Sequence, residues 1–339
     1  MTKELIFTIR KYPDIDNFSP LIDYLANKKN LKIYLFSLSF SQDLKNDLRI
    51  KYLLKKYSCI KFIDFNYFFS LNIFQKFLLN SEYALINKSI FFKLMYKIFI
   101  KLNLFFKLQK YFFLENEVNF NKISAKYLVI DHLTTKKLFY FNLVFNNIKK
   151  KNIKILSFPA GLPLYVKHPK AWDGAKLEIS NLSYNVDKIV FQHKYWMNEV
   201  NKYKKINRNY KILGSLRFTK KWRNKLSRIL INKKIHKKKN KINIVYMDSN
   251  NSNHIDFKEL KQKTLNLLSE NNLYDVRFKP HPRSNKIFIN LNSNIKVCKN
   301  EESMNLIDWA DIVLGDISAI MLEVVLQNKR YISLSYLRK

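Results

Sequence analysis

Short apolar runs alternate with amphipathic stretches along most of this chain. Runs rich in β-branched and aromatic residues predict strands, and apolar residues at helical spacing predict the helices between them. In the first half the predicted strands cover residues 5–9, 32–38, 60–65, 127–131, 153–158, 188–192 and 210–213. Predicted helices cover residues 17–27, 42–56 and 194–203. Strand–helix alternation of this kind is typical of a parallel, doubly wound sheet.

The same pattern restarts after a polar, lysine-dense stretch at residues 231–241. Further strands are predicted at residues 242–247, 276–279, 295–297, 312–314 and 330–334, with helices at residues 257–271 and 304–310. We therefore expect an α/β fold with two Rossmann-like, doubly wound domains that face each other across a cleft. The first domain would span residues 1–230, residues 231–241 would be the linker, and residues 242–339 would form the second domain. Because the chain stops directly after a strand, its C-terminal part is expected to be short.

Residues 68–114 depart from this alternation. The stretch is aromatic and aliphatic and contains neither glycine nor proline, so it predicts a helical insertion in the first domain. Lys93, Lys97 and Lys101 recur every fourth residue and would share one helical face. That face suits an interfacial helix on an anionic membrane, a pair of core helices with a solvated lysine stripe, or a dimer interface.

Two strand-to-loop junctions in the second half carry groups that bind anions. After the strand at residues 276–279, prolines on both sides of His281 prevent a helix and present the histidine on an extended loop, with Arg283 two residues further on. At the second junction Gly315 and Asp316 follow a strand, and Ser318 is a good N-cap for a helix with Ile320, Met321, Val324 and Val325 on its apolar face and Asn328 at its end.

Ligands of open α/β sheets bind at the carboxyl ends of the strands, and a helix N-terminus there suits a phosphate. Asp316 and Ser318 would therefore lie at the nucleotide, and Glu323 in the first turns of the helix would accept hydrogen bonds from ribose hydroxyls. The alternative is an ordinary strand–loop–helix with an incidental histidine.

The order Lys-Pro-His-Pro-Arg, then Gly-Asp-Ile-Ser-Ala and a glutamate, resembles the carboxyl-terminal half of the CDP-glycerol glycerophosphotransferases and of related capsule and surface-polysaccharide transferases of the two-domain GT-B type. The resemblance covers residues 153–334, roughly. It implies that His281, Ser318 and Ala319 bind the phosphates of the nucleotide. It also implies transfer of a sugar or polyol phosphate from a CDP/CMP- or UDP-linked donor to a glycan or lipid-linked acceptor, with no other cofactor.

One position departs from this resemblance. The family often has a histidine–glycine pair where this chain has Ala160 and Gly161, and that histidine is its proposed catalytic base. Three explanations follow: the protein is inactive, it is altered at this position, or it depends on another base, for which His168 and His132 are the candidates. Gly161, Gly214 and Arg217 are expected to bind the acceptor or a phosphate, although Arg217 could equally be a surface arginine at a helix start.

Composition and charge narrow the choice of partners. The formal net charge is +36, which alone would predict a nucleic-acid binder. However, lysine is spread along most of the chain and glycine occurs only 4 times, as AT-rich codons would produce. We expect no nucleic-acid partner, and a positive surface that favours anionic sugar nucleotides and acidic lipid headgroups.

The remaining signals concern location and metals. Cys59 and Cys298 show no pairing pattern, and no signal-peptide layout opens the chain. No run of residues is apolar enough to span a bilayer. We therefore expect a cytoplasmic enzyme, and peripheral binding to the inner face of the membrane stays open. No metal is expected, because Asp311 and Asp316 sit at opposite ends of one predicted strand.

Three other classes of protein remain open. A nucleotide-sugar epimerase of the same fold would form product from the nucleotide sugar alone. An inactive relative would bind nucleotide without turnover. A nucleic-acid binder, favoured only by charge, would bind any strand with a steep salt dependence. The oligomeric state stays open as well.

Overall fold

The computed structural model describes residues 3–10, 12–28, 30–38, 43–64, 124–131, 152–159, 186–203, 209–230, 235–248, 255–281, 291–316, 318 and 320–334. The chain divides into two compact units, Met1–Arg217 and Phe218–Lys339, and each contains one sheet. The helical insertion predicted for residues 68–114 lies outside the described residues. The domain boundary predicted at residues 231–241 stays a prediction.

The described strands of the first unit form one parallel sheet. Its elements are β1 (Lys3–Ile9), α1 (Tyr12–Ala26), β2 (Leu31–Ser37), α2 (Leu48–Lys56), β3 (Ile60–Ile63), β4 (Tyr127–Asp131), β5 (Lys154–Phe158), β6 (Lys188–Phe191), α3 (Lys194–Tyr203) and β7 (Tyr210–Ile212). The strand order is β3-β2-β1-β4-β5-β6-β7. The order reverses between β1 and β4, so these two strands flank the topological switch point.

Helix α1 covers one face of this sheet. Ile15, Phe18 and Ile22 are buried at helical spacing, and the Phe18 ring meets Phe7 of β1 edge-on with centroids 5.7 Å apart. The helix begins at Tyr12, five residues before the predicted start. Pro13 lies in its first turn, where a missing N–H leaves no helical hydrogen bond unmade.

The second unit repeats the architecture on a smaller scale. Its elements are α4 (Lys220–Leu230), β8 (Ile242–Met247), α5 (Ile255–Glu270), β9 (Tyr274–Lys279), β10 (Lys296–Val297), α6 (Ser303–Trp309), β11 (Ile312–Gly315), α7 (Ile320–Leu326) and β12 (Arg330–Ser333). The order is β10-β9-β8-β11-β12, with every described pairing parallel, and it reverses between β8 and β11. The expected α/β fold class with two parallel, doubly wound sheets is confirmed.

Strand β8 runs through the middle of the second core. Ile244 and Tyr246 belong to one buried cluster, whereas Val245 and Met247 belong to another that contains Trp309 of α6. Because successive side chains of a strand point to opposite faces, both faces of the sheet are covered. This explains why the sequence of β8 is a continuous apolar run.

The described part of the predicted linker, residues 235–241, lies within the second unit and contacts residues around the start of β11. Lys237 Nζ lies 2.5 Å from Asp311, and Trp309 Nε1 donates to the carbonyl of His236 at 3.3 Å. Asp311 also accepts from the backbone N–H and the side-chain amide of Asn243, at 2.9 and 2.8 Å. Burial would raise the pKa of Asp311, but these donors outweigh it and lower the pKa to about 2.

Short helix α7 matches its prediction in part. Asn328 has a positive φ of 57°, and the Lys329 N–H bonds the Val324 carbonyl at 3.2 Å, so the helix ends in a left-handed cap where the sequence predicted its end. Val324 is fully buried as expected. The prediction that Val325 shares the buried face is wrong, because its side chain is 54% exposed. In a helix of 7 residues only one narrow stripe reaches the sheet.

Among the described residues, asparagine occupies four left-handed backbone positions and Gly214 occupies another. Every non-glycine residue with positive φ among the described residues is an asparagine: Asn30, Asn152, Asn240 and Asn328. Asparagine tolerates this region better than other side chains because its short amide bonds the nearby backbone. Glycine adopts this conformation readily as well, so these turns would also accept glycine.

Candidate functional site

Three neighbouring strands of the second sheet end at one edge and bring predicted site residues together there. His281 lies two residues beyond the end of β9, Asp248 directly follows β8, and Asp316 directly follows β11. The Asp248 N–H donates to the Lys279 carbonyl at 2.9 Å, so the hydrogen-bond ladder between β8 and β9 continues to the ends of both strands. Since the strands are parallel, His281, Asp316 and the nearby Ser318 lie at the carboxyl edge, on both sides of the switch point.

A tight contact shapes the loop that carries Asp316 and Ser318. Gly315 ends β11 where an added Cβ would lie 2.8 Å from Tyr331 Oη and 3.0 Å from the Met247 carbonyl. The Tyr331 hydroxyl donates to the Asp316 carbonyl. Burial and the nearby charge of Asp316 raise the pKa of Tyr331, against a smaller lowering by a hydrogen bond with Ser318. An added Cβ would therefore press on the phenol that passes under this loop.

Sequence reasoning missed Tyr331 as a site residue, because it lies inside the predicted strand β12. It also missed the ion pair between Asp248 and Lys261 of α5, which are both buried at the same carboxyl edge. The polar residue at the end of β8 was a visible signal for Asp248. Nothing in the sequence marks Lys261, which is 3% exposed among many exposed lysines.

The other residues predicted to contact the nucleotide are Asp316, Glu323, Arg283 and Ala319. Asp316 is only 4% exposed, so its carboxylate lies inside the fold while its carbonyl holds Tyr331. Glu323 is half-buried in α7. Arg283 and Ala319 lie outside the described residues, and their roles stay predictions.

The switch point of the first unit contains a buried charged cluster that sequence reasoning also missed. The Arg10 guanidinium pairs with Asp131 at the end of β4, and the Arg10 N–H donates to Asp14 at 2.8 Å. Burial and then the charge of Asp131 raise the pKa of Asp14 well above its usual range. Two carboxyls thus share one guanidinium, so the pair retains a proton more readily than exposed carboxyls do.

Burial limits what this cluster can do. The side chains of Asp14 and Asp131 are 0% and 1% exposed. They hold β1, α1 and β4 together rather than facing solvent. Asp131 at a strand end and Arg10 after a strand were the signals in the sequence. His132 follows directly, but it lies outside the described residues together with Ala160, Gly161 and His168.

Gly214 and Arg217, the remaining predicted residues of the first unit, follow β7. Gly214 has a φ of 72° and lines a pocket of about 290 Å³ at the carboxyl ends of β5, β6 and β7. Arg217 lies 3.5 Å from the Asp16 carboxylate of α1, which also pairs with Arg49. The structure therefore brings Gly214 to a pocket and gives Arg217 a carboxylate partner.

Among the described residues, no helix combines the length and apolar character that crossing a bilayer requires. Within those same ranges, no three His, Cys, Asp or Glu side chains lie together as metal ligands would.

The two parallel α/β units, each with polar residues at the carboxyl edge of its sheet, have a fold of the GT-B type. No protein-family model matches the chain, and no curated protein matches its sequence. Solved structures do match. S. aureus MnaA with UDP has a TM-score of 0.56 at 14% identity, over 98% of this chain and 79% of the other.

Two further structures extend the comparison. UDP-GlcNAc 2-epimerase from Neisseria meningitidis, bound to UDP-GlcNAc, has a TM-score of 0.52 at 13% identity, over 98% of this chain and 82% of the other. CalG4, the calicheamicin glycosyltransferase, has a TM-score of 0.50 at 9% identity, over 99% and 80%. At such identities the likeness shows the fold, and it extends to nearly the whole chain. It does not single out the CDP-glycerol glycerophosphotransferases.

Proposed function

We propose that this protein is an enzyme that acts on a nucleotide-activated sugar. The carboxyl edge of the second sheet carries the proposal, because His281, Asp248 and the Asp316–Ser318 loop lie there along three adjacent strands. In doubly wound sheets this edge is where ligands bind. The phosphates would lie near His281 and Ser318, and Glu323 would bind the ribose. Arg283 and Ala319 would complete the phosphate contacts.

A uridine nucleotide is the first choice of base. Solved structures with this fold include proteins described with UDP and UDP-GlcNAc, whereas only the motif resemblance favours a CDP-linked donor. Uracil and cytosine differ in the hydrogen-bond donors and acceptors on one edge of the ring, so a single well-placed contact distinguishes them.

Epimerisation of the sugar is the reaction that we favour. UDP-GlcNAc 2-epimerases recur among the structural neighbours. In addition, Ala160 replaces the histidine that the resembled transferases use as a base, and an alanine cannot move a proton. An epimerase deprotonates no acceptor hydroxyl, so it would not need that histidine for this step, and the proton of the inverted carbon would go to another base of the chain.

Transfer to a cell-surface glycan is the second candidate. The order of the Lys-Pro-His-Pro-Arg and Gly-Asp-Ile-Ser-Ala motifs favours it, and glycosyltransferases also occur among the structural neighbours. His168 or His132 would then be the base, and Gly161, Gly214 and Arg217 would bind a glycan or lipid-linked acceptor at the inner face of the membrane.

Nucleotide binding tests the proposal first. We expect UDP to raise the melting temperature more than CDP, CMP, UMP or GDP does, because a ligand that binds only the folded state stabilises it. His281→Ala should reduce the shift, since it removes a phosphate partner. His236→Ala, which alters an exposed histidine of the same unit, should leave it unchanged. Absence of a shift with every nucleotide would refute the proposal.

Turnover then separates the candidates. With UDP-GlcNAc alone in D₂O, an epimerase would form a second sugar nucleotide that proton NMR detects, with deuterium incorporated if the inverted carbon exchanges its proton. A transferase would leave the sugar nucleotide intact until membrane extract supplies an acceptor for radiolabelled donor. Binding without either reaction would identify an inactive relative.

A further inference from the structure

Tyr331 of β12 reaches the loop at the candidate nucleotide edge from the neighbouring strand. In the register of the two parallel strands it lies opposite Val313 of β11, yet its hydroxyl donates to the carbonyl of Asp316, three residues further along. The phenol therefore extends along the sheet toward the carboxyl edge. A side chain of the adjacent strand thus supports the loop that carries Ser318.

The ring of Tyr331 is held by its surroundings. It packs against the buried cluster that contains Met247 and Trp309, and Ile320, the first residue of α7, packs against the same cluster. The Tyr331 hydroxyl also lies only 2.8 Å from the position of a Cβ added at Gly315. Side chains locked by packing hold their polar ends more precisely than loosely packed ones do. Tyr331 therefore presents its hydroxyl at a defined place under the loop.

The phenol hydroxyl is both a donor and an acceptor in this loop. Its proton goes to the Asp316 carbonyl. Burial, and then the charge of Asp316, raise the pKa of Tyr331, so the phenol keeps its proton at neutral pH. The hydrogen bond with Ser318 lowers the pKa by less, as a bond donated to the phenol oxygen does. A chain of hydrogen bonds therefore runs from the Ser318 hydroxyl to Tyr331 and on to the Asp316 carbonyl.

This chain defines where the oxygen of Ser318 lies before a ligand arrives. Ser318 is partly exposed, so a ligand can reach its hydroxyl from solvent. A serine hydroxyl rotates its one proton to suit its partner, and a phosphate offers acceptor oxygens. Turning this O–H from Tyr331 to a phosphate leaves the Ser318 oxygen in place and the bond from Tyr331 to Asp316 intact. A loop that is already ordered loses less conformational entropy when it binds.

We propose that Tyr331 is a positioning residue for the phosphate of the nucleotide, because it holds the Ser318 hydroxyl and the Asp316 carbonyl in the geometry that a phosphate needs. The inference rests on the proposed function and deepens it, since it assigns part of the affinity for phosphate to a residue of β12. Tyr331 does not touch the ligand and acts through Ser318.

The test compares UDP with uridine by equilibrium dialysis against the full chain. The two probes share the base and the ribose, and only UDP has phosphates. Tyr331→Phe keeps the ring and its packing and removes the hydroxyl. We expect it to weaken UDP about fivefold, the typical net effect of one hydrogen bond, and to leave the affinity for uridine unchanged. A purely structural role would lower the binding-competent fraction and weaken both probes by the same factor.

A double-mutant cycle with Ser318→Ala tests whether Tyr331 acts through the serine. Ser318→Ala alone should weaken UDP, since it removes a phosphate partner, and adding Tyr331→Phe should then cost little more, because coupled residues are not additive. The cycle uses UDP alone, so it decides the question even where uridine binds too weakly to measure. Tyr274→Phe, which removes a phenol hydroxyl at the amino end of β9 in the same sheet, is the control and should change neither affinity.

The outcomes separate this inference from the proposed function. If the unaltered chain binds UDP and Tyr331→Phe binds it equally well or more tightly, the inference is overturned and the proposed function stands. Equal weakening of UDP and uridine, or additive losses in the cycle, would overturn the inference as well. If the unaltered chain binds neither probe, the nucleotide site itself is refuted and the inference falls with it.

Discussion

At the scale of single residues, Gly315 is the last residue of β11 and directly precedes the loop at the candidate nucleotide-binding edge of the second sheet. The Tyr331 hydroxyl and the Met247 carbonyl occupy the space that a side chain would need, at 2.8 and 3.0 Å from an added Cβ. The phenol also holds the Asp316 carbonyl, so the position of the following loop depends on this contact. A larger residue at position 315 would therefore displace the loop as well as the strand.

Gly315→Ala should destabilise the protein by about 1–3 kcal/mol, the usual cost of overpacking. In a Tyr331→Phe background the cost should be smaller, since one of the two close contacts is gone. Urea unfolding of the four proteins measures the difference. Gly214→Ala is the control, because its Cβ would meet nothing within 4 Å and its cost arises from the positive φ alone. A cost at Gly315 that does not respond to Tyr331→Phe would show that the phenol is not the obstacle.

The Asp14–Asp131 pair makes stability depend on pH in an unusual direction. A carboxyl whose pKa is raised by folding stabilises the fold below its unfolded pKa, about 4, and this stability is lost as pH rises through the folded value. Asp14→Asn keeps the shape and removes the titration. Relative to the unaltered protein, this variant should therefore gain stability as pH increases from 4 toward 8.

Unfolding free energies at several pH values between 4 and 8 check this. Asp308→Asn, on an exposed carboxyl of α6, should show no such relative gain. A constant difference between Asp14→Asn and the unaltered protein would mean that Arg10 keeps both carboxylates ionised.

At the scale of elements, the segment at residues 235–241 is attached to the second sheet through Asp311. Lys237 and Asp311 have side chains that are 44% and 41% exposed, so their ion pair alone contributes little. The bonds from Asn243 to Asp311 join β8 to the start of β11, and they satisfy a backbone N–H. The amide contacts should therefore matter more than the ion pair.

Asp311→Ala should cost about 1–3 kcal/mol of unfolding free energy, because it leaves the Asn243 donors without their acceptor. Lys237→Ala should cost less than about 1 kcal/mol. Denaturant unfolding of both variants tests the order. A Lys237→Ala cost equal to that of Asp311→Ala would show that the ion pair dominates.

Most described elements could be predicted from the sequence, because strands such as β2, β4 and β8 are mainly apolar and mostly buried. Helix α1 begins earlier than predicted because Pro13 fits a first turn. The error at Val325 has a similar local origin, since a helix of 7 residues buries too narrow a stripe for its periodicity to place every residue.

The candidate sites could be predicted less completely. Two motifs predicted His281 and Ser318 at strand ends, and both residues follow strands of the same sheet, while their binding roles stay predictions. Tyr331 and Lys261 could not be found, because their significance depends on contacts made across the sheet rather than on neighbours in the chain. Arg10 and Asp14 are four residues apart, but their partner Asp131 follows more than a hundred residues later.

At the scale of the whole molecule, the fold is shared with proteins to which the sequence bears little likeness. The neighbours agree over nearly all of this chain at 14% identity or less. Alternating elements and their parallel order define such a fold, and many different residues satisfy that pattern. The charge of +36 did not help to define either the fold or the ligand.

The left-handed asparagines bear on how such a chain can diverge. Among the described residues, four turns are closed by asparagine and one by Gly214, while Gly315 lies where an added Cβ would meet the Tyr331 hydroxyl and the Met247 carbonyl. If mutation pressure replaces GC-rich glycine codons with AT-rich asparagine codons, a backbone can lose glycines at such turns and still keep its path. Sequence divergence would then be fastest at positions that require only a positive φ. It would be slowest at positions where other atoms occupy the space of a Cβ. Gly315 belongs to the second kind of position, so glycines of its type are the better markers for tracing distant relatives of this protein.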